Sequence, residues 1–356
     1  MKRKKMNTKS KTIAVLMAAI IVSAAVVPMV IAASIPTEGV VTGSTTPPII
    51  KAKWELPDDA DAPLHLTPGT QVLPEANANK LVKMYMVARD PNGAGDIVNA
   101  GFRIEHPAAP DPDTACWMPT SPVPAIYGYG MVDQLAATEW FYGTVITPGP
   151  QRAAIEAAIA AAVNVNLINQ TVANDLLEEL EQQEARFFYA EESFTCCWAP
   201  GNYSVMAWAS DNAGGQGELV NNLTYESIIA IDLDFSAGIN YGDLVPGVKQ
   251  ILSGDEVFSA GDGAPTVISL ANDPIEIWLH ATPLEGEMKQ HLITNFDARL
   301  NHDVSVDFVA GQNTLVPGVL IPNWLEKMDF SVTPPDNTPA DTYRGTMTLW
   351  IKHYYC

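Results

Sequence analysis

Positive charge is scarce in this chain once its first dozen residues are set aside. Lysine and arginine total 20 against 41 acidic residues in 356, and Lys2, Arg3, Lys4, Lys5, Lys9 and Lys11 all precede residue 12. From residue 34 onward the balance is 14 basic to 41 acidic, a net charge of −27. Nucleic-acid binding needs clustered Lys and Arg to neutralise phosphates, so that class is excluded. Docking on an anionic membrane surface is excluded for the same reason. Cysteine is also scarce: the four residues form no CxxC, which leaves zinc ribbons, thioredoxin-type chemistry and c-type haem without their motif. The six histidines, His65, His106, His280, His291, His302 and His353, form no HExxH and read as isolated packing or surface residues. GxSxG, P-loop and dinucleotide glycine motifs are absent. Carboxylate pairs for glycoside hydrolysis need only meet in space, and 41 acidic residues single none out. No catalytic residue is therefore assigned, and a secreted hydrolase is the least favoured class.

The N-terminus begins with a basic stretch, followed by the uncharged run Ile13–Ala33 and small residues at its end. This is the layout of a secretory signal peptide over 1–33, cut near Ala32 or Ala33. Pro28 breaks the run before the cleavage site; if retained, the run is long enough to span a bilayer. No second apolar span and no lipid-anchor tail follow. The expected location is secreted or cell-surface. In an oxidising exterior Cys116, Cys196, Cys197 and Cys356 are disulfide candidates. Side chains of adjacent residues in a strand alternate faces, so Cys196 and Cys197 are expected to take different partners: one Cys116, the other Cys356 or another molecule. Three connectivities stay open. The sequons at Asn169, Asn202 and Asn222 are glycosylation candidates.

Residues 34–79, rich in Pro, Thr and Ala and carrying Asp58, Asp59 and Asp61, read as a linker and lead-in to the first domain. Strand patterns begin at Leu81–Val87. They continue over Ile97–Ile104, with Ile97, Asn99 and Gly101 expected on one face and Phe102 and Ile104 on the other. Residues 151–190 change character, with an Ala-rich helix containing Ile155 and Ile159, then a Leu-rich helix. Glu178, Glu179, Glu181 and Glu184 fall on the second helix's polar side. Further strands are expected at 186–189, 203–208 and 225–231. From 230 to 356 the pattern is wholly β-like, as at Ile275, Ile277, Leu279 and Met328, Phe330, Val332. The fold class expected is mainly β: two β-sandwich (Ig-like) domains, 80–229 and 230–356, the first with an inserted α-helical hairpin.

Two local patterns carry a resemblance. Val87-Ala88-Arg89-Asp90-Pro91-Asn92-Gly93 and Ala207-Trp208-Ala209-Ser210-Asp211-Asn212-Ala213-Gly214-Gly215 each end a strand in Asp and turn on Gly. They resemble Ig-like or PKD-like repeats of archaeal and bacterial surface proteins. Ile239–Gly247 is similar to the opening strand, and Val332–Leu349 to the final hairpin, of extracellular β-sandwich modules in archaeal envelope proteins and the camelysin/TasA-like fibre-forming group. The chain departs from that pattern at Asp341, where Gly is usual, and at Tyr241, where Phe is usual. The resemblance implies a secreted structural or cell-surface role of archaeal type.

Asp90, Asn92 and Asp96 in one Gly-rich turn have the spacing of oxygen ligands that can hold Ca²⁺, and Asp211 and Glu218 flank a second such loop. An EF-hand is excluded because Gly101 stands where its last carboxylate belongs. An ordinary Asx turn is the commoner source of either pattern. No cofactor other than Ca²⁺ is suggested. Trp117, Trp140, Trp198 and Trp208 could form a sugar platform, although Trp beside Cys in a sandwich is more often packing. The function expected is a non-catalytic structural protein of the cell envelope or an extracellular assembly, its partners copies of itself or other envelope proteins. The alternative is a ligand- or carbohydrate-binding surface protein with glycan partners.

Overall fold

Runs of β-branched and aromatic residues, closed by Gly, Pro and Asn turns, become strands wherever two sheets can share an apolar face. The computed structural model describes residues 46–59, 69–107, 132–140, 142, 150–195, 198–261, 263–301 and 303–354. The signal segment and all four cysteines lie outside the described residues.

The N-terminal half packs two sheets and a helical layer. One sheet has the order β1 (Ile49–Leu56), β3 (Lys80–Arg89), β7 (Ala185–Phe194), β6 (Thr138–Trp140). The other runs β2 (Thr70–Val72), β9 (Gln216–Tyr225), β8 (Gly201–Asp211), β4 (Ile97–Glu105), β5 (Val132–Ala136). Only the β2–β9 pairing in it is parallel. Side chains alternate across a strand, so β3 serves two cores. Val82, Met84, Met86 and Ala88 meet Phe102, Val205 and Leu223 of the second sheet, while Tyr85 and Val87 face the helices.

Those helices, α1 (Pro150–Asn164) and α2 (Gln170–Glu181), are inserted between β6 and β7. Pro150 suits a first turn, where its missing N–H is no loss. Asn169 caps α2, its side chain accepting from the Val172 N–H at 2.9 Å. Ile155 and Ile159 of α1 and Leu176 and Leu180 of α2 pack on Trp54, Tyr85 and Phe187. Glu179 is not on the polar side: it is buried, and it pairs with Lys51 at 2.9 Å and Arg89 at 3.1 Å. Two cations projecting from the sheet beneath draw it inward. Among the described residues no helix is long and apolar enough to cross a membrane.

Three further expectations are corrected. The stretch 34–79 contains β1 and β2, each a sheet strand rather than linker, and within it Asp58 is buried, accepting from the Gln71 N–H at 2.8 Å. Ile97 joins Phe102 and Ile104 in one core, because a bulge between Ile97 and Asn99 shifts the register. The last strand of this half ends at Tyr225 instead of beginning there.

The C-terminal half contains no helix among its described residues. A six-stranded sheet has the order β10 (Ile231–Leu233), β12 (Thr266–Ser269), β19 (Leu325–Val332), β16 (Asn295–Leu300), β17 (Val306–Val309), with β11 (Gln250–Leu252) also on β19. It shares a core with β18 (Asn313–Leu320), β13 (Ile275–Ala281) and β21 (Met347–His353). Ile275, Ile277 and Leu279 from one side meet Phe296, Met328 and Phe330 from the other. A small sheet joins β15 (Leu292–Ile293), β14 (Leu284–Gly286) and β20 (Tyr343–Arg344). Each half carries a tyrosine that donates its O–H to a carbonyl four residues upstream: Tyr203 to Ala199 at 2.7 Å, and Tyr343 to Pro339 at 2.8 Å. This is the corner that fixes a strand's approach in sandwich domains. Asp341 has a local task as well. Its carboxylate accepts from the Met288, Lys289 and Thr342 N–H groups at 2.7–2.8 Å. Partial desolvation alone would raise its pKa, but these donors and the Lys289 charge outweigh that and lower it.

Candidate metal centre

Strand β3 runs out of sheet at Asp90, whose Oδ1 accepts the Asn92 N–H at 2.7 Å, closing an Asx turn. A short 3-10 turn, Ala94–Asp96, then delivers Asp96. On strand β8, which pairs with β4 in the other sheet, the last residue is Asp211, opposite Ile97 in the ladder. Its Oδ1 accepts the Gly215 N–H at 2.7 Å. The two loops are bonded to each other: Asn212 donates its backbone N–H to the Asp96 carbonyl at 3.1 Å and its side-chain amide to Asp96 Oδ1 at 2.6 Å.

The outcome is a cluster that no single stretch of sequence contains. One carboxylate oxygen from each of Asp90, Asp96 and Asp211 lies within 4.8 Å of the others. Asp90 and Asp211 are each 3% exposed, and the Oδ2 of both is buried without a hydrogen-bond partner. Buried carboxylate oxygens demand a proton donor or a cation. An all-oxygen, carboxylate-rich set suits a hard divalent ion, Ca²⁺ above all, and not zinc. Gly215 makes room for it: a methyl group there would lie 2.7 Å from Asp211 Oδ2 and 3.1 Å from Pro47 Cα.

Of the five residues suggested as Ca²⁺ ligands, the structure joins Asp90, Asp96 and Asp211. Asn92 serves the turn, its side-chain amide donating to the Thr46 carbonyl at 3.3 Å. Glu218 stands apart on β9, exposed and bonded to Gln216 at 2.8 Å. The sequon asparagines Asn169, Asn202 and Asn222 are all exposed. The disulfide candidates Cys116, Cys196, Cys197 and Cys356 lie outside the described residues, as does Trp117. The indoles of Trp140 and Trp198 are engaged in packing, against Phe187 and Tyr189 and against Phe194 and His106 respectively. His106 is itself buried, 2.7 Å from Asp133. Sequence reading missed a second polar cluster altogether: Lys53, Glu55 and Asn221, inside the first sandwich.

No protein family and no curated protein matches this sequence. Among solved structures, one similar chain is from the chaperone–tip adhesin complex of CFA/I fimbriae biogenesis, at 8% identity and a TM-score of 0.26, covering 86% of this chain and 85% of that chain. Another is from the CsuC–CsuE chaperone–tip adhesion subunit pre-assembly complex of Acinetobacter baumannii, at 11% identity and a TM-score of 0.26, covering 79% and 96%. A third is the C-terminal domain of the Streptococcus agalactiae AgI/II polypeptide BspA, at 11% identity and a TM-score of 0.21, covering 87% and 97%. At such scores none of them assigns this chain a ligand, a partner or an activity.

Proposed function

We propose that this chain is an exported, non-catalytic structural protein of the cell envelope or of an extracellular assembly, and that Ca²⁺ locks its first domain at Asp90, Asp96 and Asp211. The observation that carries the reading is the burial of that cluster. Two of its three carboxylates are closed off from solvent, so a cation there would brace two loops. The charge of the chain supports it. A body at −27 repels its own copies, and divalent cations or specific contacts must offset that before it can assemble.

The test is light scattering and negative-stain microscopy of the mature chain, in Ca²⁺ and in chelator. Ordered sheets or fibres that form in Ca²⁺ and disperse on chelation are expected. Monomers under both conditions would refute the assembly role.

A further inference from the structure

Strand β1 carries two charged residues into the interior of the first sandwich. Ile50 faces the inter-sheet core, and a bulge between Ile50 and Ala52 turns Ala52 and Trp54 toward the helices. Lys53 and Glu55 alternate with them and so point at the second sheet. The side chains of both have no solvent exposure. Facing them from β9 is Asn221. Lys53 Nζ touches both Glu55 Oε1 and Asn221 Oδ1. Asn221 Nδ2 donates to Glu55 Oε2 at 2.9 Å, and the buried Thr70 hydroxyl lies 3.3 Å from the same oxygen. An amine, a carboxamide and a carboxyl group therefore close a ring of contacts between the sheets.

A buried ion pair is a poor stabiliser, because the cost of desolvating two charges rivals their attraction. The same three groups in the same place can do chemistry instead. We propose that Lys53 and Asn221 join in an intramolecular amide cross-link, with Glu55 as the proton shuttle. The ammonium first passes a proton to the Glu55 carboxylate, leaving a neutral amine and a carboxylic acid. The Nζ lone pair adds to Asn221 Cγ, and the carbonyl electron pair moves onto Oδ1. Glu55 gives its proton to Nδ2, which it already contacts, and takes one from Nζ. The Cγ–Nδ2 bond breaks as the carbonyl re-forms. The products are a secondary amide, one ammonia and a protonated Glu55, with no oxidant or cofactor consumed.

Burial favours the step. Desolvation lowers the Lys53 pKa against the opposing pull of Glu55, which moves the nitrogen toward its nucleophilic neutral form. Holding amine and carboxamide in contact replaces a bimolecular encounter, an advantage of about 10⁵ M or more in effective concentration. Exclusion of water protects the new amide from hydrolysis. The proposal stands independently of the Ca²⁺ site and of the assembly role.

Mass spectrometry of the full mature chain, reduced and denatured, tests it. The wild type should be lighter than its sequence by one ammonia. Its protease digest should contain one branched peptide joining the segments around Lys53 and Asn221, with no tryptic cut after Lys53. Glu55→Gln should restore the full mass and the two separate peptides. A wild-type chain of full mass with unlinked peptides overturns the proposal, and needs no variant to fold. Loss of ammonia without a branch, the signature of cyclisation at asparagine, overturns it equally. A branch that persists in Glu55→Gln would remove Glu55 from the mechanism.

Discussion

Removing Ca²⁺ should lower the melting temperature of the protein, and the size of the drop follows from the site. Three carboxylates, mostly buried, meet within 4.8 Å. Two unit charges that close repel by roughly 3 kcal/mol at an effective dielectric constant near 20, so the loops are held together against a real opposing force. Extracellular Ca²⁺ modules bind with Kd values of about 10⁻⁴ to 10⁻³ M. At about 10 mM Ca²⁺ the free ligand exceeds Kd by roughly 10- to 100-fold, which stabilises the folded state by about 1.4 to 2.7 kcal/mol. For a folding unit of about 150 to 250 residues that is a rise of about 3 to 10 °C.

The assay is differential scanning calorimetry or fluorimetry in Ca²⁺ and in chelator at matched ionic strength. An acidic chain gains from any cation by screening, so the decisive comparison is Asp211→Asn. Its amide oxygen can still accept the Gly215 N–H, so the loop should survive. The variant should lose the Ca²⁺-dependent shift, while in chelator it should melt no lower than wild type, since one repelling charge is gone. Equal shifts in wild type and variant would mean screening alone and would refute the site. So would a wild type that melts identically with and without Ca²⁺.

Three other outcomes are expected. Asn221→Ala would remove the proposed cross-link, which closes a loop of 168 residues, and closing such a loop is worth about 5 kcal/mol by chain entropy; the urea midpoint should fall accordingly. Tyr343→Phe deletes the bond to the Pro339 carbonyl and should cost about 1 kcal/mol, read as a lower urea midpoint. Burial alone would raise the Asp297 pKa, but hydrogen bonds from Lys249 and Ser305 and the Lys249 charge outweigh it and set it low. A lowered folded pKa means that its stabilisation is present above the unfolded value, near 3.8, and is lost as pH falls through the folded one. Asp297→Asn should therefore be less stable than wild type at neutral pH and converge with it in acid, as followed by circular dichroism across a pH series.

The alternation at Ile275, Ile277, Leu279 and at Met328, Phe330, Val332 was legible because each strand buries one face, and period two records that directly. The helical hairpin was legible from its alanines and leucines. Strand β1 was not, since the segment Ala52-Lys53-Trp54-Glu55-Leu56 carries charge at the positions that face inward. That pattern imitates a solvent face, or a polar linker after a Pro/Thr-rich lead. The bulges at Lys51 and Val98 were equally invisible, because one extra residue reverses the faces without changing composition. The aspartates were found as two separate turns. That the turns meet depends on Ile97 lying opposite Asp211, a pairing no local spacing encodes.

The two polar clusters tie the start of the N-terminal half to its later strands. Thr46 accepts from Asn92 and Pro47 lies against Gly215, so the lead-in to β1 touches both loops of the aspartate cluster. Farther along β1, Lys53 meets Asn221, close to the end of β9. Just beyond that end, the Glu226 carbonyl and the Ile228 N–H are bonded to the buried Asn272 side chain of the C-terminal half. With the cross-link formed, tension applied between residues 46 and 228 passes from Lys53 to Asn221 through covalent bonds. The segment between them, β2 to β8 with the inserted helices, then carries none of it. Only chain inside the bridged loop is relieved in this way, and the helical insertion lies wholly inside it. A unit stapled from its first strand to its last can accommodate such an insertion without lengthening the covalent path between its two ends.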